Sequence, residues 1–177
     1  MTRFLVALTL LLPLSARAEP QPAVLELMHY MDVTAACFDG AEDRAEAGAC
    51  IGLGSDICME SEEGGFSTIG MMFCLMAEEH SWDILLNRDY GPMMQGLRAM
   101  DAEESESFPQ FAARADSLRN AQRAWIELRD ADCALEYAMW GAGSMRQIAG
   151  AQCGLQRTAE RTIYLRFLGL AMIGEDG

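Results

Sequence analysis

The segment QRAWIELRDADCALEYAMWGAGSMRQIAGAQCGLQRTAER, residues 122–161, decides the fold. Helix-forming residues fill both sides of one glycine turn, Gly141-Ala142-Gly143-Ser144. Cys133 and Cys153 each stand ten residues from Gly143. Two antiparallel helices meeting at that turn would bring the cysteines level. Helix axes pack about 8–10 Å apart, whereas bridged Cα atoms are roughly 4.4–6.8 Å apart. Both side chains must therefore face inward across the hairpin. The reading is a disulfide-stapled helical hairpin, and such a bridge points to an oxidising compartment.

Working outward, Ser107 with Gln110 fits a capping box that opens the longest helix. Phe111, Ala115, Leu118, Ala121, Trp125, Leu128 and Leu135 recur near the 3.6-residue period, which predicts one buried stripe. Past the turn, Ile148, Ala151, Leu155, Ala159 and Ile163 share a face of a last helix from Ser144 to about Leu168. Upstream, Asp101 to Ser107 reads as an acidic linker, and Gly91-Pro92 as the stop of one helix and the start of the next. Thr68 is the expected cap of the helix carrying Met71, Met72, Leu75, Met76, Trp82, Leu85 and Leu86. Residues 62–66, Glu-Glu-Gly-Gly-Phe, form a loop. Gly52 and Gly54 break the chain, with Ser55 or Asp56 capping a brief helix through Cys58. Residues 41–49 suit a short helix, and Val24 to about Phe38 a longer one. Strand alternation is absent. The expected class is all-α: a small disulfide-stapled helical bundle with a long C-terminal helical hairpin.

The N-terminus supports export independently. Arg3, the apolar run Phe4 to Leu14 and the small-residue pattern Ala16-Arg17-Ala18 read as a secretory signal peptide, residues 1–18, cut after Ala18. The run falls short of the roughly 20 apolar residues that span a bilayer, and no cysteine follows the cut closely enough for a lipid anchor. The expected organisation is a leader (1–18), an N-terminal helical extension (19–54) and a helical domain (55–170), periplasmic or secreted without a membrane anchor. Six cysteines, Cys37, Cys50, Cys58, Cys74, Cys133 and Cys153, remain after processing. Cys58 and Cys74 straddle a loop centred on Phe66, and Cys37 and Cys50 straddle the break near Gly40. Nearest-neighbour pairing gives 37–50, 58–74 and 133–153; pairing 37–58 with 50–74 is the alternative.

Charge is lopsided. The chain has 27 acidic residues against 13 basic ones, all arginine, for a net charge of −14. Losing the leader makes it −16. Residues 19–106 hold 19 acids and three arginines, whereas residues 107–177 hold eight of each. Such a field repels nucleic acid and anionic lipid and steers cationic partners toward one half. Solubility alone is the plainer reading of the same charge.

Chemistry-bearing motifs are sparse. His29 and His80 are too few for a histidine-rich metal site, and no nucleophile elbow, zinc-helix or phosphate-loop pattern is present. Glu79 and Asp83 share a helix face, and two such carboxylates can act as acid and base in glycoside hydrolysis, but in so acidic a chain a solvated face is the better reading. Asp83, Asn87 and Tyr90 could tie their helix to a neighbour. The methionine clusters suit Cu(I) less well than helical core packing. Arg129 lies four residues after Trp125, so its stem can pack on the indole, while the adjacent Asp130 faces elsewhere. Arg157 and Arg161 share a face and suit ion pairs across the hairpin with Asp130, Asp132 or Glu136. No catalytic, cofactor-binding or metal-ligating set emerges, and the chain does not read as an enzyme.

The ordered set Cys58, Cys74, Glu78, Trp82-Asp83, Leu86-Asn87, Tyr90, Gln122, Trp125, Arg129-Asp130, Cys133, Gly143-Ser144, Cys153, Arg157-Thr158, Arg161 and Leu165 resembles the lysozyme inhibitor LprI-like domain family. Ala142 departs from a Gly-Gly pattern frequent there. The resemblance covers about residues 55–168 and implies an all-helical, disulfide-bonded, exported domain. It also implies a protein partner, a cationic lysozyme or another envelope protein, blocked sterically by a rigid loop. Glu62, Glu63, Phe66 and Ser144 are the candidate partner-binding residues. A structural envelope module without inhibitory activity is the alternative.

Overall fold

The computed structural model describes residues 20–173, so the predicted leader and its cut after Ala18 lie outside the described residues. The described residues form helices α1 (Pro22–Glu26), α2 (Asp32–Gly40), α3 (Arg44–Gly48), α4 (Leu53–Ser61), α5 (Thr68–Ser107), α6 (Arg114–Met139) and α7 (Met145–Ile173). Short 3-10 turns occupy Met28–Tyr30 and Pro109–Phe111, and no strand occurs among these residues. The class is all-α, as the sequence predicts.

The frame is α5 packed along α7. Glu79 lies opposite Gly154, and Met93 opposite Gly169, so the two helices run parallel. On one side α2 and α3 add Phe38, Ala47 and Cys50 to a core with Trp82, Leu85, Leu155 and Ala159. Phe38 meets Trp82 edge-on at 5.0 Å between ring centroids. A second cluster joins Leu86, Met93, Met94 and Leu97 of α5 to Ala115 and Leu118 of α6 and Leu165 of α7. A third holds Val24, Met31, Cys58, Cys74 and Ala77. Met31, Met93 and Met94 are buried, in keeping with the packing role read for methionine.

Three bridges join the neighbouring cysteines: Cys37–Cys50, Cys58–Cys74 and Cys133–Cys153, with Cα separations of 5.7, 5.7 and 5.3 Å. The alternative 37–58 and 50–74 pairing does not form.

Several expected boundaries move, and packing explains most of them. Gly91-Pro92 does not stop a helix; α5 runs through it for 40 residues. Proline inside a helix costs about 3 kcal/mol. The residues beyond it, Met93, Met94 and Leu97, are buried, and each such burial contributes about 1.5–3 kcal/mol. Packing therefore outweighs the break. The Asp101–Ser107 tract is not a linker but the last turns of α5. Ser107 opens no capping box, because Pro109 holds the preceding Phe108 out of the helical region (φ −138°, ψ 64°). Instead the Asp101 carboxylate accepts the backbone N–H groups of Arg114 and Ala115 at 3.0 and 2.9 Å, starting α6 from outside. The longest helix is accordingly α5, not α6.

Smaller shifts follow the same logic. Ser67, not Thr68, caps α5, accepting the Gly70 N–H at 3.0 Å. Gly52, not Ser55 or Asp56, is the residue before α4. Gly54 lies within α4, where a Cβ would strike Met31 and Thr34. The expected Val24-to-Phe38 helix is split into α1, a 3-10 turn and α2. That path brings Val24 and Met31 to one cluster and Phe38 to another.

The predicted α7 face is buried or packed on the core. The predicted α6 stripe is not continuous: Ala115 and Leu118 are buried, but Phe111, Leu128 and Leu135 are 64, 60 and 60 % exposed. No α6 residue beyond Trp125 enters a hydrophobic cluster. The far half of α6 is held by α7 and the Cys133–Cys153 bridge.

Candidate functional site

Two exposed turns lie at one end of the α5–α7 frame. From the Glu79–Gly154 level, the start of α5 at Thr68 and the turn at Gly143 are equally distant, eleven residues or roughly 16 Å of helix.

The first turn, residues 62–67, is closed by backbone bonds from Gly65 N–H to the Glu62 carbonyl (2.9 Å) and from Ser67 N–H to the Gly64 carbonyl (2.8 Å). Cys58–Cys74 braces its base. The Tyr30 hydroxyl donates to Glu62 Oε1 at 2.9 Å. Glu62, Glu63 and Phe66 are exposed, Phe66 by 66 %. The turn thus offers two carboxylates beside an aromatic ring.

The second turn ends α6. Gly141 takes φ +52°, the left-handed conformation that terminates helices. Gly143 N–H donates to the Trp140 carbonyl at 2.9 Å, and the Arg146 guanidinium donates to the Gly141 carbonyl at 3.3 Å. Gly143 and Ser144 are exposed. Met139 and Trp140 are 75 and 50 % exposed at the tip.

Farther along the hairpin, arginines and aromatics interleave between α6 and α7. Arg129 stacks on Trp125 at 5.0 Å from the ring centroid, as its spacing predicts. Contrary to expectation, Arg129 also reaches the adjacent Asp130, at 2.8 Å, although Asp130 is well exposed and Arg129 mostly covered. Arg157 pairs across the hairpin with Asp132 at 3.3 Å. Among the described residues Arg161 has no acidic partner, correcting the expected ion pair. Its guanidinium lies 5.7 Å from the Trp125 centroid and 5.3 Å from Tyr164. Its Nε donates to Gln122 Oε1 at 3.0 Å, and its Nη2 is buried without an acceptor. Burial lowers its pKa below the usual arginine value, opposed by Tyr164 and Tyr90. Trp125, Leu128, Arg129, Asp132, Arg157, Glu160, Arg161 and Tyr164 border a pocket of about 230 Å³.

The remaining singled-out residues are architectural. Trp82 is fully buried, and Tyr90 packs on the second cluster. Asn87 is exposed and donates to Asp83, at 2.6 Å to its carbonyl and 3.0 Å to its carboxylate. This bond lies within α5. Glu79 is not on a solvated face; it packs against α7 at Gly154. Burial raises its pKa, with Arg129 opposing. Among the described residues no three His, Cys, Asp or Glu side chains could hold a metal ion. No helix among them is long and apolar enough to cross a membrane.

Two anchors have roles that the sequence reading did not assign: Glu78, named there only within the family pattern, and Arg166. Glu78 is fully buried, yet its carboxylate accepts Gly52 N–H and Ser55 N–H, both at 2.7 Å, and Trp82 Nε1–H at 3.2 Å. It caps α4 from α5, favourably for the α4 dipole. Its spacing to Trp82 was the available signal. Arg166 stacks on Phe38 at 3.7 Å, donates to the Phe38 carbonyl at 2.9 Å and pairs with Asp89 and Asp39 at 2.9 and 3.1 Å. With its partners up to 128 residues away, no local pattern could reveal it.

An uncharacterized protein of Rhizobium meliloti (strain 1021) is 29 % identical over 102 residues, 58 % of this chain and 73 % of that protein. No solved structure matches. The family model described as lysozyme inhibitor LprI matches residues 58–165, from the first cysteine of α4 to the core Leu165. That span takes in the braced turns, the hairpin and its arginines, and so the chain belongs to the lysozyme inhibitor LprI family.

Proposed function

We propose that this protein is an exported lysozyme inhibitor that blocks the lysozyme cleft with its braced end. The observation that carries the reading is the placement of two rigid, exposed turns, 62–67 and 141–144, at the same end of the α5–α7 frame. Glu62, Glu63 and Phe66 supply charge and a ring; Ser144, with Trp140 beside it, supplies the second contact. Lysozymes act through two carboxylates flanking the scissile bond of a glycan. A turn wedged into that cleft excludes substrate without any chemistry of its own. The Cys58–Cys74 bridge beside the first turn reduces the ordering cost of binding, while Cys133–Cys153 fixes the two arms behind the second. The acid-rich residues 19–106 favour encounter with a cationic enzyme, an effect that weakens with salt. Three disulfides and the family suit an extracytoplasmic setting, and in this reading residues 1–18 are the cleaved leader.

The test is clearing of cell-wall suspensions by lysozymes of several types, with and without purified protein starting at Glu19. Inhibition at micromolar concentration, weaker at higher salt and lost in Phe66→Ser or Trp140→Ser, is expected. No inhibition of any type at low or moderate salt would discard the proposal and leave the envelope-module reading.

A further inference from the structure

Leu128 and Leu135 are each 60 % exposed on α6. One exposed leucine is ordinary, but these two belong to a row. Ala121, Ala124, Leu128, Ala131, Leu135 and Ala138 follow one another at alternating steps of three and four residues, and all are exposed. That spacing is the apolar seam of a coiled coil. It runs about 26 Å along the helix. Ala115, Leu118 and Trp125, which join the second core cluster, lie on a different face. One side of α6 is thus packed on the fold, and another carries an apolar seam in solvent.

We propose that this seam binds a second copy of the chain, α6 against α6 and antiparallel, as a two-fold dimer. The order of the residues fits that partner. In an antiparallel pair Leu128 of one copy meets Ala131 of the other, Leu135 meets Ala124, and Ala121 meets Ala138. Every leucine faces an alanine, and the two-fold axis makes each pairing twice. Small residues opposite large ones let the axes approach to about 8 Å. Charge selects the direction, as flanking positions do in coiled coils. Glu127 and Asp132 border the seam on opposite edges. A parallel pair sets Glu127 of each copy against Asp132 of the other. The antiparallel pair sets Glu127 against Ala134, and Asp132 against Trp125, whose ring carries the Arg129 guanidinium. The seam also belongs to residues 107–177, with eight acids and eight arginines, not to the acid-rich residues 19–106. Repulsion between two such acidic chains is screened by salt, so the dimer tightens as salt rises. Steered encounter with a cationic enzyme shows the opposite trend, and the proposal does not rest on the inhibitory reading.

Sedimentation equilibrium of the mature protein with its three disulfides intact, at low and high salt, tests this. A reversible dimer is expected, with Kd on the order of 10⁻⁵ M because one helix a side is a small interface, and tighter at high salt. Leu135→Glu should leave a monomer at every concentration. Ala131→Leu enlarges the apolar surface but sets leucine against leucine, and should weaken the dimer about tenfold. Leu128→Ala combined with Ala131→Leu restores large against small, and should return Kd to within about threefold of wild type. These side chains are exposed, so the fold tolerates the exchanges. Tighter association of Ala131→Leu would reveal a patch without register and overturn the proposal. So would assemblies larger than a dimer, or a wild-type monomer at about 200 µM in both salts. A wild-type monomer whose lysozyme inhibition is lost in Leu135→Glu would assign the seam to the enzyme, and also overturns it.

Discussion

Glu78 and Arg161 set the two halves of the molecule side by side. Both are charges drawn into the protein on the long helices. Glu78 is sealed against α4 with three donors on its two oxygens. Arg161, in the hairpin, sits between two rings with one nitrogen unanswered. The N-terminal half carries the acid excess and packs on α7 to form the main core; the C-terminal half, residues 107–177, is electroneutral yet leaves Leu128, Leu135 and Met139 in solvent. A fully satisfied buried charge holds the core together, whereas an unsatisfied one adds little to it.

The sharpest way to break this contrast is to remove each charge. Glu78→Ala strands two backbone N–H groups and the Trp82 indole, and a loss of about 3–5 kcal/mol in urea unfolding is expected. Arg161→Gln should cost about 1 kcal/mol or less, because lost ring contacts are partly offset by relief of the unpaired donor. Equal costs would erase the distinction.

The bridges extend the comparison. Replacing Cys37 and Cys50 by alanine opens a staple in the main core, and a global loss of about 2–4 kcal/mol is expected. Replacing Cys133 and Cys153 should lower the global midpoint less. Its effect should appear as faster hydrogen exchange confined to residues near 131–155. Uniform acceleration over α5 would show that the hairpin is part of the same cooperative core.

A smaller effect is expected from pH. The folded pKa of Glu79 is raised, so its neutral form is favoured in the fold. That contribution is full below the ordinary carboxylate value of about 4.3 and fades as pH rises through the raised value. Asp39 works oppositely: Arg88 first and then Arg166 lower its pKa, against the effect of burial. Its contribution is present above the ordinary value of about 3.9 and is lost as pH falls through the lowered one. Glu79→Gln should flatten the decline on the alkaline side, and Asp39→Asn the decline on the acid side, in midpoints measured across pH. Smallest of all, Leu135→Ser should stay within about 0.5 kcal/mol of wild type. A larger loss would place the far half of α6 in the core.

Much of the fold was legible from local chemistry. The symmetric cysteines about Gly143 pointed to one bridge, because matched helical arms bring them level; the loop about Phe66 favoured Cys58–Cys74 but left 37–58 with 50–74 open until the structure chose. The period of Ile148 through Ile163 declared the buried face of α7. The α6 stripe misled because periodicity states which residues share a face, not whether another element reaches that face. Of the pocket, the Trp125–Arg129 stack was legible from its i,i+4 spacing. Tyr164, three residues after Arg161, carried a similar signal that went unread.

By itself, then, the sequence determined an all-helical chain with local staples, an acidic N-terminal half and a hairpin of matched arms. These follow from period, spacing and composition, which act over a few residues. Tertiary structure alone decided that α5 passes through Pro92, that Asp101 starts α6, that Glu78 caps α4 and that Arg161 is left with a free donor. Each of these depends on groups far apart in sequence meeting in a desolvated interior, where one hydrogen bond made or missed outweighs local propensity.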